Sequence, residues 1–356
     1  MLRAFAAVLV LALGSASVSF AQSDFYEGKT IELVVGFSPG GGTDTFARFI
    51  AGELGTYIPG SPSVVVRNMP GAGSVVASNW YVDTAEPNGE TLLVGTGQLM
   101  LRILLGLRGS EASLSDLDAI LAQPTGRIGY LDPALGASEP EDYDQISETL
   151  ILGVPDHIST IESILALEVL GADFRVIPGY EGKSEVRLAF ERGEVNVDAQ
   201  TTPVYRSSVE PLIEQGSAVT FFSQGLINGA GDLVRDPAAP EIPTVAEVYE
   251  AVNGMPPSGN AWEAYRAAVV AIGNAGKILM IHQNAPAEAK EALEVAAQRM
   301  SESDDFRAAA EEFFEGYEMN HGDDLAGAVR AVQQLDPAVL TWLEEYLSSN
   351  FNVSFE

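Results

Sequence analysis

The residues with the clearest chemical capacity sit in one short loop, Pro39-Gly40-Gly41-Gly42-Thr43-Asp44. Three successive glycines let a backbone approach a bound molecule closely and adopt positive φ. The loop follows a β-rich run at residues 31–37 and precedes helical periodicity at 45–54. A helix start presents unpaired N–H groups and the positive end of the helix dipole. Together these hold a small anion without any cationic side chain. Taken alone, the loop fits a tight strand-to-helix turn equally well. No Gly-Lys-Ser/Thr follows, so it is not a P-loop. Asp44 is an awkward neighbour for an anion. Its expected role is to cap the helix and stiffen the glycines, ahead of direct ligand contact.

Other candidates end later strands. Thr96 and Gly97 close a run at 91–95, where a hydroxyl and a backbone N–H can meet the same ligand. Asp156-His157-Ile158-Ser159 opens a helix expected over 159–170, and its N–H groups can face the first loop. Simple capping by Asp156 or Ser159 is the competing reading. Asp198, Thr201 and Thr202 follow another strand and are further pocket candidates. Gly71-Ala72-Gly73 hints at a dinucleotide fingerprint, but Val76 stands where that pattern needs Gly or Ala. His157 is a lone histidine, with His282 and His321 far away in sequence, so it is read as a hydrogen-bonding group and no metal is expected. No Gly-x-Ser-x-Gly elbow, His-Glu-x-x-His or Walker motif occurs, so the chain is read as no enzyme and as needing no cofactor.

The elements that must position these residues alternate strand and helix, the pattern of an α/β protein. Strands are expected at 31–37, 63–67, 91–95, 149–153, 174–178, 195–198, 219–222 and 277–281. Helices are expected at 45–54, 74–85, 159–170 and 184–192. Thr244 with Glu247 forms a capping box for a helix to 250. The segment 287–348 reads as helical and acidic. Two α/β lobes follow, with the last segment returning to the first lobe. Ligands of such sheets sit beyond the carboxyl ends of the strands, and two lobes make a cleft that closes by hinge motion.

Composition narrows the function classes. The 356 residues carry 19 Lys+Arg against 50 Asp+Glu, a net charge of −31. Only four cations are lysines: Lys29, Lys183, Lys277 and Lys290. Such a surface repels nucleic acid and anionic lipid. It suits a saline medium, where the Debye length falls to roughly 3 Å, although a merely acidic protein explains it as well. The first residues read as a secretory signal over 1–21, with Arg3, an apolar stretch at 4–13 and the small-x-small site Ser19-Phe20-Ala21. No cysteine is present, which removes disulfides and thiolate chemistry and fits export to a bacterial periplasm.

Six motifs in order carry a resemblance. They are Lys29 to Asp44 with its Val34-Val35-Gly36-Phe37-Ser38-Pro39-Gly40-Gly41 core, Val64-Val65-Val66-Arg67-Asn68-Met69-Pro70-Gly71-Ala72-Gly73, Asn88-Gly89-Glu90-Thr91-Leu92-Leu93, Val176-Ile177-Pro178-Gly179-Tyr180-Glu181-Gly182, Gly193-Glu194-Val195-Asn196-Val197-Asp198, and Ile242-Pro243-Thr244-Val245-Ala246-Glu247. In this the chain resembles the Bug-type solute-binding proteins of tripartite tricarboxylate transporters. The resemblance implies a two-lobed type II "Venus flytrap", each lobe a β-sheet flanked by helices. Lobe 1 would be 22–125 plus 240–356, and lobe 2 would be 126–239. It implies a periplasmic monomer that captures a carboxylate-bearing anion and delivers it to a membrane permease. A periplasmic sensor and, further off, a secreted hydrolase or lyase are the alternatives. The family's ligand is held largely by backbone N–H groups, hydroxyls and water. Carried over, this singles out Ser38, Pro39, Gly40, Gly41, Thr43 and Asp44, with Thr96. The family's G-x-G-S before the second-lobe helix is replaced here by Gly153 to Ser159. An acid at 156 points to a ligand with an amino or hydroxyl group. Residues 98–148 match poorly, and 253–274 reads as an insertion.

Overall fold

The computed structural model describes residues 25–314 and 316–355; the expected signal segment lies outside them. Thirteen strands run in chain order among these residues: β1 Thr30–Val35, β2 Ser63–Asn68, β3 Thr91–Thr96, β4 Leu117–Gln123, β5 Arg127–Leu131, β6 Leu150–Val154, β7 Phe174–Pro178, β8 Val197–Thr201, β9 Val219–Ser223, β10 Leu226–Ile227, β11 Leu233–Val234, β12 Lys277–His282 and β13 Asn320–His321. One sheet has the order β13-β4-β12-β3-β1-β2, and a second has β7-β6-β8-β5-β9. β1 pairs in parallel with both β2 and β3. Their helices, Gly42–Tyr57 and Val75–Thr84, are the crossovers that parallel pairing demands. β12 returns from the second half of the chain and inserts antiparallel between β3 and β4.

Both faces of the first sheet are covered, so its strands read as near-continuous apolar runs. Leu33, Val34 and Val35 of β1 and Leu92, Leu93 and Val94 of β3 are fully buried. One core lies under Phe46, Ile50, Leu54 and the helix Ala287–Glu302. A larger core joins the other face to the second sheet through Leu99, Leu150, Ile164, Leu165 and Tyr265. The helix Ile161–Leu170 is the middle of that core. It is buried all round, with only Glu168 partly exposed, and is mostly apolar as an enclosed helix must be, apart from the buried Glu162 and Ser163.

Several elements carry no clear sequence signal. The poorly matching stretch 98–148 contains the helix Gly97–Leu104 and strands β4 and β5. The expected insertion at 253–274 holds the helix Asn260–Ala268 and a π-helical run, Val269–Asn274. The first of these packs against Ile161–Leu170 and the C-terminal helix Pro337–Phe351. The helical tail is interrupted by β13, which extends the edge of the first sheet.

The segments crossing between the sheets are pinned by polar groups. The Thr125 N–H donates to the Gly273 carbonyl at 2.8 Å. Asp236 is fully buried. It accepts from the Tyr317 hydroxyl at 2.8 Å and from Thr202, while the Gly126 N–H donates to the same Tyr317 oxygen at 3.0 Å. Burial pushes the Tyr317 phenol well above its ordinary pKa, and the Asp236 charge adds to this.

Candidate functional site

β1, β2 and β3 run parallel, so their following loops converge on one edge of the first sheet. The Gly-rich loop leaves Ser38, Pro39, Gly40 and Gly41 exposed and buries Thr43 and Asp44. Gly41 is the N-cap of the helix Gly42–Tyr57 and makes no side-chain cap. The N–H groups of the first turn therefore have no partner within the helix.

Asp44 is only 2% exposed. Its carboxylate accepts from the Gly40 N–H at 2.8 Å, Arg48 Nε at 2.9 Å and Asn68 Nδ2 at 2.8 Å. Asn68 also donates to the Phe37 carbonyl at 2.9 Å. Chiefly the Arg48 hydrogen bond, with help from Gly40 and Asn68, holds the acid down at about 2. Asp44 is thus a brace that reaches back across the loop. Its lone pairs are spent inside the protein, and none goes to an N–H of the helix, so Asp44 does not cap it.

The loop after β2 is unusual. Gly71, Ala72, Gly73 and Ser74 have successive φ values of 153, 47, 62 and 77°. A serine in this region costs roughly 1–2 kcal/mol and needs a reason. Ser74 is fully buried, and its hydroxyl has no hydrogen-bond partner. It presses on the first loop, because a methyl group at Gly36 would overlap the Ser74 side chain. Thr96 ends β3 at 7% exposure, and its Oγ1 also lacks a partner. Gly97 must be glycine, since a Cβ there would overlap the Ala271 carbonyl. Opposite Thr96 in the ladder stands Lys277 of β12. Its Nζ donates to Gln123 Oε1 at 3.0 Å, and its Cε lies 3.8 Å from where a Cβ on Gly42 would stand. An ammonium group therefore sits beside the helix start.

The second sheet presents its own edge. Asp156 Oδ1 accepts from the N–H groups of Ile158 at 2.9 Å and Ser159 at 3.0 Å. The Asp156 carbonyl takes the Ser159 and Thr160 hydroxyls. Asp156 and Ser159 therefore close a turn ahead of the helix Ile161–Leu170, whose N-cap is Thr160, and neither caps that helix. The same Oδ1 also accepts from Arg102 Nη2 at 3.0 Å. Arg102 belongs to the first sheet's Gly97–Leu104 helix, so this ion pair spans the two sheets. His157 does not point at the first loop. Its ring stacks on Phe351 at 4.8 Å, and burial lowers its pKa. Asp198 is fully buried, with Lys183, the Tyr130 hydroxyl at 2.6 Å and Gln200 Nε2 at 2.7 Å on its oxygens. It supports Lys183 and offers no surface to a ligand. Thr201 is half-buried opposite Arg127 in the β5–β8 ladder, and Thr202 turns inward to Asp236. Arg127 Nε lies 3.0 Å from Glu162 Oε1 outside hydrogen-bond geometry, and burial raises the Glu162 pKa.

Ser74, Arg102 and Lys277 were missed in the sequence. Lysine scarcity was a usable signal for Lys277, since the chain has only four. Ser74 directly follows Gly71-Ala72-Gly73, and nothing in the local sequence marks it as a pocket residue. Arg102 lies on a mainly apolar helix, and nothing local marks its partner 54 residues on. A surface cavity of about 450 Å³ lies elsewhere, lined by Glu302, Arg307, Glu311, Glu318 and His321 among others. Its carboxylates outnumber its cations, so it does not suit an anion. Among the described residues no group of three or more His, Asp or Glu is placed to hold a metal ion. No described helix is long and apolar enough to cross a membrane.

No protein-family profile matches the chain. Individual relatives do. A UPF0065 protein of Cupriavidus necator is 29% identical over 267 residues, covering 72% of this chain and 76% of the relative. Protein BugT of Bordetella pertussis is 28% identical over 224 residues, covering 55% and 62%. Among solved structures, a TctC solute-binding protein from Polaromonas superposes with TM-score 0.64 at 19% identity, covering 91% of this chain and 99% of that one. A Rhodopseudomonas palustris protein with adipate gives 0.59 at 19% identity, covering 92% and 99%. MatC from the same species with bound malate gives 0.53 at 18% identity, with the same coverage. Sequence relatives, motif order and fold agree: the chain has the two-sheet fold of the periplasmic binding proteins and is similar in sequence to UPF0065 and Bug proteins.

Proposed function

We propose that this chain is a solute-binding protein that captures a small organic carboxylate between its two sheets and hands it to a membrane permease. The observation that carries this is the pair of buried, unpartnered hydroxyls, Ser74 and Thr96, at the edge where the helix Gly42–Tyr57 begins. A buried hydroxyl without a partner costs about 1–3 kcal/mol. Two of them beside free helix N–H groups are what a carboxylate or its bridging water would satisfy. Lys277 adds a positive charge to the same edge. The similarity to Bug proteins and the adipate and malate found in similar structures favour a carboxylate. Ser38, Pro39, Gly40, Gly41 and Thr43 supply the loop face, with Asp44 behind it. Asp156 already holds three donors, so it gives no reason to expect an amine on the ligand.

The two lobes of this reading are 22–125 with 240–356, and 126–239, acting as a monomer in the periplasm after removal of 1–21. Calorimetric titration with adipate, malate and citrate tests the proposal. Binding by at least one, weakened several-fold in Thr96→Val, supports it. No binding by any small carboxylate overturns it.

A further inference from the structure

Arg102 has two ends with different surroundings. Nη2 is bonded to Asp156 at 3.0 Å, on the far side of the cleft. Nε is buried and has no hydrogen-bond partner. It lies against Gly73, where a Cβ would stand 3.0 Å from it, so the missing side chain of Gly73 makes room for the guanidinium. The next residue, Ser74, has the fully buried, unpartnered hydroxyl. Two unsatisfied polar groups, a donor and a hydroxyl, thus meet at one strained four-residue loop. Buried arginine donors are rarely left empty, because the charged group loses water without compensation. An anionic oxygen seated on this loop would satisfy both.

The partner across the cleft is fixed in advance. Two backbone N–H groups of its own turn hold Asp156 in place. Arg102 is therefore the moving pin and Asp156 the fixed socket. The contact joins the helix that follows β3 to the turn that follows β6, so a motion separating these two elements would break it. The flat guanidinium can donate in two directions at once.

We propose that Arg102 is a ligand-reading latch: Nε donates to a carboxylate oxygen of the solute on the Gly71–Ser74 loop while Nη2 locks the closed form onto Asp156. This rests on the carboxylate-binding reading above. It adds a charge-assisted contact to a site otherwise made of N–H groups and hydroxyls. It also couples occupancy to closure, since the ligand orders the arginine that the second lobe then engages. A solute with two carboxylates suits the arrangement, with one at the helix start and one at Arg102.

The test uses the mature chain with Arg102→Gln and Asp156→Asn, each checked for an unchanged far-ultraviolet spectrum and cooperative melting. Adipate, malate and propionate are titrated by calorimetry, and compaction is followed by small-angle X-ray scattering. Arg102→Gln should weaken the dicarboxylates about tenfold or more and change propionate far less. Asp156→Asn should weaken them less than Arg102→Gln, yet reduce ligand-driven compaction as much. Equal dicarboxylate affinity in Arg102→Gln and wild type overturns the latch while leaving carboxylate binding intact. Equal losses in both variants overturn the ligand contact, because Arg102 would then act only through Asp156. A wild-type chain that binds no carboxylate overturns both readings. If neither variant folds, Arg102→Lys is titrated instead. It keeps the charge but not the two-directional fork, and full dicarboxylate affinity with full compaction refutes the proposal.

Discussion

Replacing Asp44 with asparagine isolates what the brace contributes. The change keeps the volume and removes one charge and one acceptor. In the native loop Oδ2 takes Gly40 N–H and Arg48 Nε, and Oδ1 takes Asn68 Nδ2. An asparagine offers one oxygen. Whichever way its amide turns, an NH2 group faces a donor. Turning Asn68 to compensate would sacrifice its bond to the Phe37 carbonyl. Arg48 is more than half exposed and regains water, so its loss counts for little. The net cost is then about 1–3 kcal/mol, that of one buried donor left facing another. Urea unfolding near neutral pH should show a lower midpoint with an unchanged slope. The pH dependence gives the sharper check. The folded acid is held at about 2, below its ordinary 3.8. A depressed carboxylate stabilises the fold above its unfolded pKa and loses that contribution as pH falls through the folded value. The gap between wild type and Asp44→Asn should therefore persist above about pH 4 and close as pH falls to about 2. A gap that stays constant across this range refutes the charge argument. Lost carboxylate affinity with no change in midpoint refutes the brace itself and makes Asp44 a ligand contact.

Other expectations follow from single contacts. Ser74→Gly removes a hydroxyl and the left-handed strain of roughly 1–2 kcal/mol, partly offset by the flexibility of glycine in the unfolded chain. Its melting temperature should hold or rise while carboxylate affinity falls several-fold; a clear loss of stability would show that the hydroxyl is structural. Gly36→Ala drives a methyl group into Ser74 and should destabilise by about 1–3 kcal/mol. The double change with Ser74→Gly should recover part of that in chemical denaturation, and no recovery would place the clash elsewhere. Tyr317→Phe leaves the Gly126 N–H unmatched and removes a donor from Asp236, costing about 1–3 kcal/mol in the same assay. An unchanged midpoint in Tyr317→Phe would mean that water replaces the hydroxyl freely.

Much of the fold was legible, for identifiable reasons. Strands at 63–67, 91–95 and 174–178 lie within a residue or so of their observed limits, because glycine and proline turns bracket apolar runs. The capping box at Thr244 and Glu247 forms as written, with bonds of 2.8 and 3.2 Å. The helix Asn260–Ala268 was obscured because its burial is settled by Ile161–Leu170, almost a hundred residues earlier. The first loop was readable because glycine spacing encodes backbone geometry directly. The second edge was not. Asp156, His157 and Asp198 are residue types that suit a site, but tertiary partners decide their use. Phe351 takes the histidine ring, and Lys183 and Tyr130 take the Asp198 carboxylate. The ladder put Lys277 beside the loop only through a strand that returns late in the chain.

The salt dependence of this protein follows from how its charges are distributed. A net −31 repels any anion at distances beyond the Debye length. Yet four of the 19 cations stand close to the two sheets: Arg127 and Lys277 begin β5 and β12, and Arg102 and Lys183 lie on the helices that follow β3 and β7. Three of them, Arg102, Arg127 and Lys183, pair with a carboxylate across or behind the cleft. The attraction is therefore short-ranged and the repulsion long-ranged. Salt screens the second more than the first. Raising NaCl should first strengthen capture of a dicarboxylate, chiefly through a faster association rate, and should raise the unfolding midpoint as surface carboxylates cease to repel. Monotonic weakening of binding from low salt upward would mean that the exposed cations, and not the backbone and buried hydroxyls, hold the ligand. Greatest stability at low salt would show that the acidic surface is no adaptation to a saline medium.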